Sequence, residues 1–167
     1  SYRTGNHGDG SWYSINGNID YQRTSRKNKQ RMITFSYKIN TQPQTSNSNT
    51  GYEDIHAKEE VDDLVKRLLL KNSQSDGKTN TMEQTFQVDY TTPIGELHTV
   101  EAGAKYIFRR NTSDNKLYEA AGGSDDYLYN EDRSSDYRHL NHILAAYLGY
   151  TLKYKDFTFK PGVRYEQ

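Results

Sequence analysis

The chain has 167 residues, room for one ordinary domain. Its hydrophobic fraction is 32%, and 15 of those residues are Tyr, which leaves too few aliphatic side chains for a close-packed soluble core. An aromatic fraction of 13%, with 22 basic residues against 22 acidic ones, is equally unlike a disordered chain. The absence of Cys excludes a disulfide scaffold, thiolate metal sites and thiol catalysis. Mean hydropathy is −1.08, with no apolar run near the ~18 residues a spanning helix needs. That excludes helical membrane proteins and leaves membrane barrels open. The opening residues SYRTGNHGDGSW carry no initiator Met and no leader pattern, so we expect an internal piece of a longer protein.

Alternation with a period of two dominates the chain, and it places successive side chains on opposite faces of a strand. In the first predicted strand, about residues 12–24, Tyr13, Ile15, Gly17, Ile19 and Tyr21 alternate with Ser14, Asn16, Asn18, Asp20 and Gln22. The polar segment SRKNKQ turns the chain into a second strand over about 31–42, with Ile33, Phe35, Tyr37 and Ile39 on one face. A long segment of about 43–82 follows, rich in Ser, Asn, Thr and Gly, and reads as a solvated loop. Within it Val61, Leu64, Val65, Leu68 and Leu69 have helical spacing, so residues 55–72 read as a short helix or an extended strand.

The alternation returns over about 83–92 with Phe86, Val88 and Tyr90, turns at Pro93 and Gly95, and resumes over about 97–110 with Val100, Ala102, Ala104, Tyr106 and Phe108. A second long loop is expected over about 111–140. The last pair of strands spans about 141–154 and 157–166, with Leu144, Ala146, Leu148, Tyr150 and Leu152, then Phe157, Phe159, Val163 and Tyr165. The fold class is therefore all-β: an antiparallel up-and-down meander of six long strands in three hairpins, with short turns at one end and long loops at the other.

A soluble sandwich and a membrane barrel both show such alternation, but strands of ~9–11 residues match the hydrocarbon thickness whereas soluble strands peak near ~5–6. The lipid-facing set is then Ile15, Ile19, Ile33, Phe35, Val88, Val100, Ala102, Ala104, Leu144, Ala146, Leu148 and Val163. Tyr13, Tyr21, Tyr90, Tyr106, Tyr154 and Tyr165 fall near strand ends, where an aromatic girdle meets the headgroups. The rival is a soluble extracellular β-sandwich or adhesin-type binding module. It requires a second sheet over Ile33, Phe35, Val100 and Leu144.

Two stretches, TFQVDYTTPIGELHTVEAGAKYIFRRNTSDN and HILAAYLGYTLKYKDFTFKPGVRYEQ, resemble strands of TonB-dependent outer-membrane receptors, and RMITFSYKINTQPQ resembles the strand before them. The resemblance implies a middle segment of a large transmembrane β-barrel in the outer membrane of a Gram-negative bacterium. It further implies uptake of a large nutrient: an iron chelate, cobalamin, a glycan or a peptide. The implied partners are outer-membrane lipid, a plug domain and the TonB energy-coupling protein, with none of the plug or coupling sequence recognisable in this stretch. On its own, such a segment is expected to self-associate or to be covered by detergent or the rest of the receptor.

No sequence pattern calls for a cofactor or an enzyme activity: nucleophile-elbow, HExxH and phosphate-loop motifs are all missing. His139 and His142, three apart on a strand, point to opposite faces, so no metal site is expected. The basic run at 25–31 reads as a solvated turn and the balanced charge argues against nucleic acid. The candidate ligand contacts are Asp125, Asp126, Tyr127 and Tyr129, acids interleaved with rings in an expected extracellular loop.

Overall fold

The structure is a computed structural model that describes residues 2–53, 69–122 and 124–167. Eight strands follow one another: β1 (Arg3–Trp12), β2 (Ile15–Thr24), β3 (Met32–Glu53), β4 (Lys71–Ile94), β5 (His98–Ala121), β6 (Leu128–Tyr154), β7 (Phe157–Phe159) and β8 (Gly162–Glu166). They form one antiparallel open sheet in the order β1-β3-β4-β5-β6-β7, with β2 beside β3 and β8 beside β6. This is the expected six-line meander with its first and last lines each divided in two. The rival sandwich fails here, because among the described residues there is no second sheet.

Proline explains both divisions, since it has no N–H to give to a ladder. The gap between β1 and β2 lies opposite Pro43, whose carbonyl still accepts from Tyr13 N at 3.3 Å. Pro161 separates β7 from β8, and its carbonyl accepts from Tyr150 N at 3.0 Å. The register is the same on both sides of that gap, with Leu152 opposite Phe159 and Gly149 opposite Gly162.

The chain divides into two compact units. The polar unit is Ser1–Ser14, Gln42–Thr81 and Asn111–His139, and the amphipathic unit is Ile15–Thr41, Met82–Arg110 and Leu140–Gln167. In the polar unit two sequence expectations need correction. The segments 43–82 and 111–140 read as loops, yet they carry strand over the ends of β3, the start of β4, the end of β5 and the start of β6, and residues 3–12 add the unforeseen β1. Both faces of these extensions are mostly polar, so the sustained apolar alternation on which strand prediction depends is missing; the ladder itself holds them, from Arg3 opposite Glu53 to Trp12 opposite Gln44. The helix expected within 55–72 falls mostly on residues outside those described, and β4 already begins at Lys71.

In the amphipathic unit the alternation becomes two distinct faces. Ile19 pairs with Tyr37 and Tyr21 with Phe35 on one face, while Asp20 pairs with Ser36 and Asn18 with Lys38 on the other. The short turns use specific backbone chemistry. Gly95 takes φ 69°, in the left-handed region that other residues avoid. Lys155 takes φ 52° at the first position of the two-residue turn between Tyr154 and Phe157.

Candidate functional site

The apolar face of the amphipathic unit is bare. Ile19 is 70% exposed, Val163 71% and Leu148 52%, and Ile15, Phe35, Phe86, Val88 and Leu144 are exposed as well. The only buried hydrophobic residues among those described are Ala120 and Ala145, so this sheet has no apolar core of its own. A contiguous apolar surface of this kind seeks burial against something else.

Aromatic rings cross this face from strand to strand. Tyr37 and Phe86 have centroids 4.7 Å apart, Phe86 and Tyr106 6.4 Å, Tyr106 and His142 6.1 Å, and Phe108 and His142 5.1 Å. His142 Nδ1 also shares a hydrogen bond with Tyr106 Oη at 2.7 Å. His98 and Tyr150 repeat the pairing, stacked at 5.8 Å and joined through Nδ1 and Oη at 2.5 Å. Each pair satisfies an imidazole nitrogen without water, which suits polar atoms on an otherwise apolar surface. Of the predicted girdle, Tyr21 lies against Phe35 at 6.4 Å and Tyr154 lies under Lys155 Nζ, while Tyr13 and Tyr165 are exposed. Histidine was the partner the sequence pattern did not reveal, because its ring nitrogens only find tyrosine once neighbouring strands are aligned.

The opposite face is polar and paired. Arg109 Nε and Nη2 both donate to Glu83 Oε2, at 2.9 and 2.6 Å, and Lys160 Nζ lies 3.2 Å from Glu101 Oε2. Gln87 donates to Asp89 at 2.8 Å and Asn18 to Asp20 at 3.2 Å. Tyr147 lies across Gly103, where a Cβ would come within 2.3 Å of the ring. The ring occupies the space of the missing side chain, so a larger residue at that position would have to push Tyr147 aside.

The polar unit holds the candidate ligand contacts but does not gather them. Asp125 and Tyr127 line one concavity with Asn49 and Asn72, and Tyr127 Oη donates to Asn49 Oδ1 at 3.5 Å. Asn72 is buried; its Oδ1 accepts from Tyr52 N at 2.8 Å and its Nδ2 donates to Ser124 O at 3.1 Å, so it anchors the start of this segment. Tyr129 belongs to a second concavity and packs on Tyr118, centroids 5.6 Å apart. Asp126 is exposed, and its backbone N–H donates to Ser124 Oγ at 3.2 Å. His139 stacks on Tyr137.

A residue that sequence reading passed over organises the same unit. Glu119 on β5 accepts from Lys71 Nζ of β4 at 3.2 Å and from Asn130 Nδ2 of β6 at 2.7 Å, and pairs with Arg133. Its side chain is 10% exposed. The hydrogen bonds from Asn130, Lys71 and Arg133, with the Lys71 charge, hold its carboxyl below the usual range. Asn130 Oδ1 in turn accepts from Arg133 N, and Ser134 Oγ from Leu117 N.

A bare apolar face backed by a paired polar one is what a lipid-embedded wall requires, and the family comparison agrees with it. The model of the outer membrane protein beta-barrel family matches residues 23–167. The chain belongs to that family. It is therefore a β-barrel protein of the bacterial outer membrane, in a family that is typically non-enzymatic. No curated protein matches the chain. Among solved structures, the ferric citrate transporter FecA in its unliganded form matches at 16% identity with a TM-score of 0.33. That match covers 81% of this chain and 20% of the transporter, so the chain spans about a fifth of its length.

Proposed function

We propose that the chain is a wall segment of a TonB-dependent receptor that imports a large nutrient: an iron chelate, cobalamin, a glycan or a peptide. The observation that carries this reading is the division of the amphipathic unit into a bare apolar face and a charge-paired polar face over long meander strands. A lipid-facing outside and a wet inside account for both, and long polar hairpins suit a receptor that captures its ligand outside the membrane. On this reading Asp125 and Tyr127 act together on ligand and Tyr129 acts apart from them. The partners are outer-membrane lipid, a plug domain and the TonB protein.

The test uses the native strain. The gene carrying this chain and the gene of the coupling protein are deleted separately, and uptake of a labelled ferric chelate, cyanocobalamin, maltooligosaccharide and oligopeptide is measured. Loss of the same nutrient class in both deletions is expected. Loss with the first deletion alone would indicate a passive pore, and undiminished uptake of all four would remove the reading.

A further inference from the structure

The turn between β2 and β3 gathers cations without carboxylates. Arg23, Arg26, Lys27, Lys29 and Arg31 fall within nine residues, all are exposed, and no acid occurs between Tyr21 and Ile33. Among the described residues none of the five enters an ion pair. The turn is nonetheless ordered from within. Ser25 N donates to Arg31 O at 2.9 Å, Arg31 N to Asn28 O at 3.0 Å, and Gln30 N to Asn28 Oδ1 at 2.9 Å. Ser25 and Asn28 thus serve the backbone, and the cations project outward. A mere solvated loop has no need of five like charges, whose mutual repulsion opposes the fold.

Their position on the sheet names the ligand. Arg23 pairs with Ile33 in the same register that pairs Tyr21 with Phe35, so the apolar face runs outward through Tyr21 and Phe35 and ends in a guanidinium. Arg31 is held to the next hairpin by Nε, which donates to Thr92 Oγ1 at 3.1 Å. Arg23, Arg26 and Arg31 surround an open depression of about 470 Å³ whose other walls include Met32, Ile33 and Tyr90. Guanidinium groups bind phosphate oxygens in pairs of hydrogen bonds, and aliphatic and aromatic walls beside them accept the glycerol and the first methylenes of acyl chains. The other short turns carry far less charge, with Glu96 in one and Lys155 with Asp156 in the other.

We infer that this depression binds the phosphodiester headgroup of an anionic glycerophospholipid in the leaflet that meets the short turns, with the acyl chains lying along Phe35 and Tyr21. The site rests on the lipid-facing reading of the apolar face. It adds a lipid class and a fixed location. The occupant is a membrane lipid rather than a soluble acidic partner because the cations stand at the margin of the exposed apolar face.

The test reconstitutes the full-length protein in phosphatidylcholine bilayers with a trace of spin-labelled phosphatidylglycerol or spin-labelled phosphatidylcholine. Electron paramagnetic resonance then reads the fraction of each label slowed at the protein surface. The native protein should slow phosphatidylglycerol more than phosphatidylcholine at 0.1 M salt, and the difference should fade at high salt, where charges beyond ~3 Å are screened. The variant R23Q/R26Q/R31Q should lose the preference while slowing phosphatidylcholine as before, and R23K/R26K/R31K should keep most of it. A native protein without the preference, or a preference that survives in R23Q/R26Q/R31Q, overturns the site. Slowing of neither lipid overturns the lipid-facing reading as well, so the two failures are distinguishable.

Discussion

The two units hold their strands by different means. The amphipathic unit segregates its side chains, so its apolar face needs a nonaqueous neighbour and its polar face keeps charges in pairs such as Glu83 with Arg109. The polar unit has no such segregation. It depends on the backbone ladder, on hydroxyl contacts such as Ser11 with Thr45 at 2.8 Å, and on the node at Glu119. One is therefore sensitive to a charge placed on one face, and the other to the loss of a single polar link.

The largest expected effect comes from Leu148→Arg or Ala104→Arg on the apolar face, which should cost about 2–4 kcal/mol at the membrane midplane. Heat-modifiable gel mobility of the full-length protein in outer membranes reads the folded fraction, and Thr99→Arg on the other face should fold normally. If all three fold alike, the contrast between the faces is wrong. Thr151, on the same polar face, is no suitable control because it is buried.

Next in size is Gly103→Ala. The new Cβ would meet the Tyr147 ring at 2.3 Å and force it aside, an overpacking cost of roughly 1–3 kcal/mol. Combining it with Tyr147→Ala should cost less than the sum of the separate changes, and a double-mutant cycle on unfolding in urea measures the difference.

In the polar unit, Glu119→Gln should loosen the hairpins locally while leaving membrane insertion intact. The Glu119 carboxyl is held below its ordinary range, so it contributes stability that is present above that range and lost as pH falls through the lowered value. Protection of the amides of Leu117 and residues 130–134, taken relative to the intrinsic exchange rate at each pH, should therefore fall on acidification in the native protein and lose this dependence in the variant. Equal acid sensitivity in both would remove Glu119 as the organising group.

The smallest effect belongs to a turn. Lys155→Gly should relieve the positive φ at the cost of chain entropy and the Tyr154 ring contact, stabilising by less than about 1 kcal/mol. Chemical denaturation reads the gain, and a net loss would show that the Tyr154 contact and chain entropy outweigh the backbone strain.

Much of the amphipathic unit was readable in the chain, because each strand from Ile15 to Val163 carries its own two-residue period and the short turns carry Gly95 and the Lys155–Asp156 pair. The extensions over 42–53, 71–82, 111–121 and 128–139 were not readable. A strand with two wet faces has no period to detect, and Ser, Asn and Thr are also what loops contain. The candidate contacts show the same limit: Tyr127 and Tyr129 look like one site in sequence, yet one meets Asn49 and the other Tyr118.

Periodicity by itself determined which residues share the apolar face and which share the polar one, since the pleat gives a strand two sides whatever lies next to it. It also determined the order of the hairpins, because short turns admit only antiparallel neighbours. Only the tertiary structure decided which side chains meet across strands: Glu119 with Lys71, Asn130 and Arg133, Tyr147 over Gly103, and the ring row from Tyr37 to His142. These contacts depend on the stagger between strands, and no residue encodes that stagger alone. It is settled when each ladder aligns with its neighbours, as Pro43 and Pro161 align with partners that ask nothing of a missing N–H.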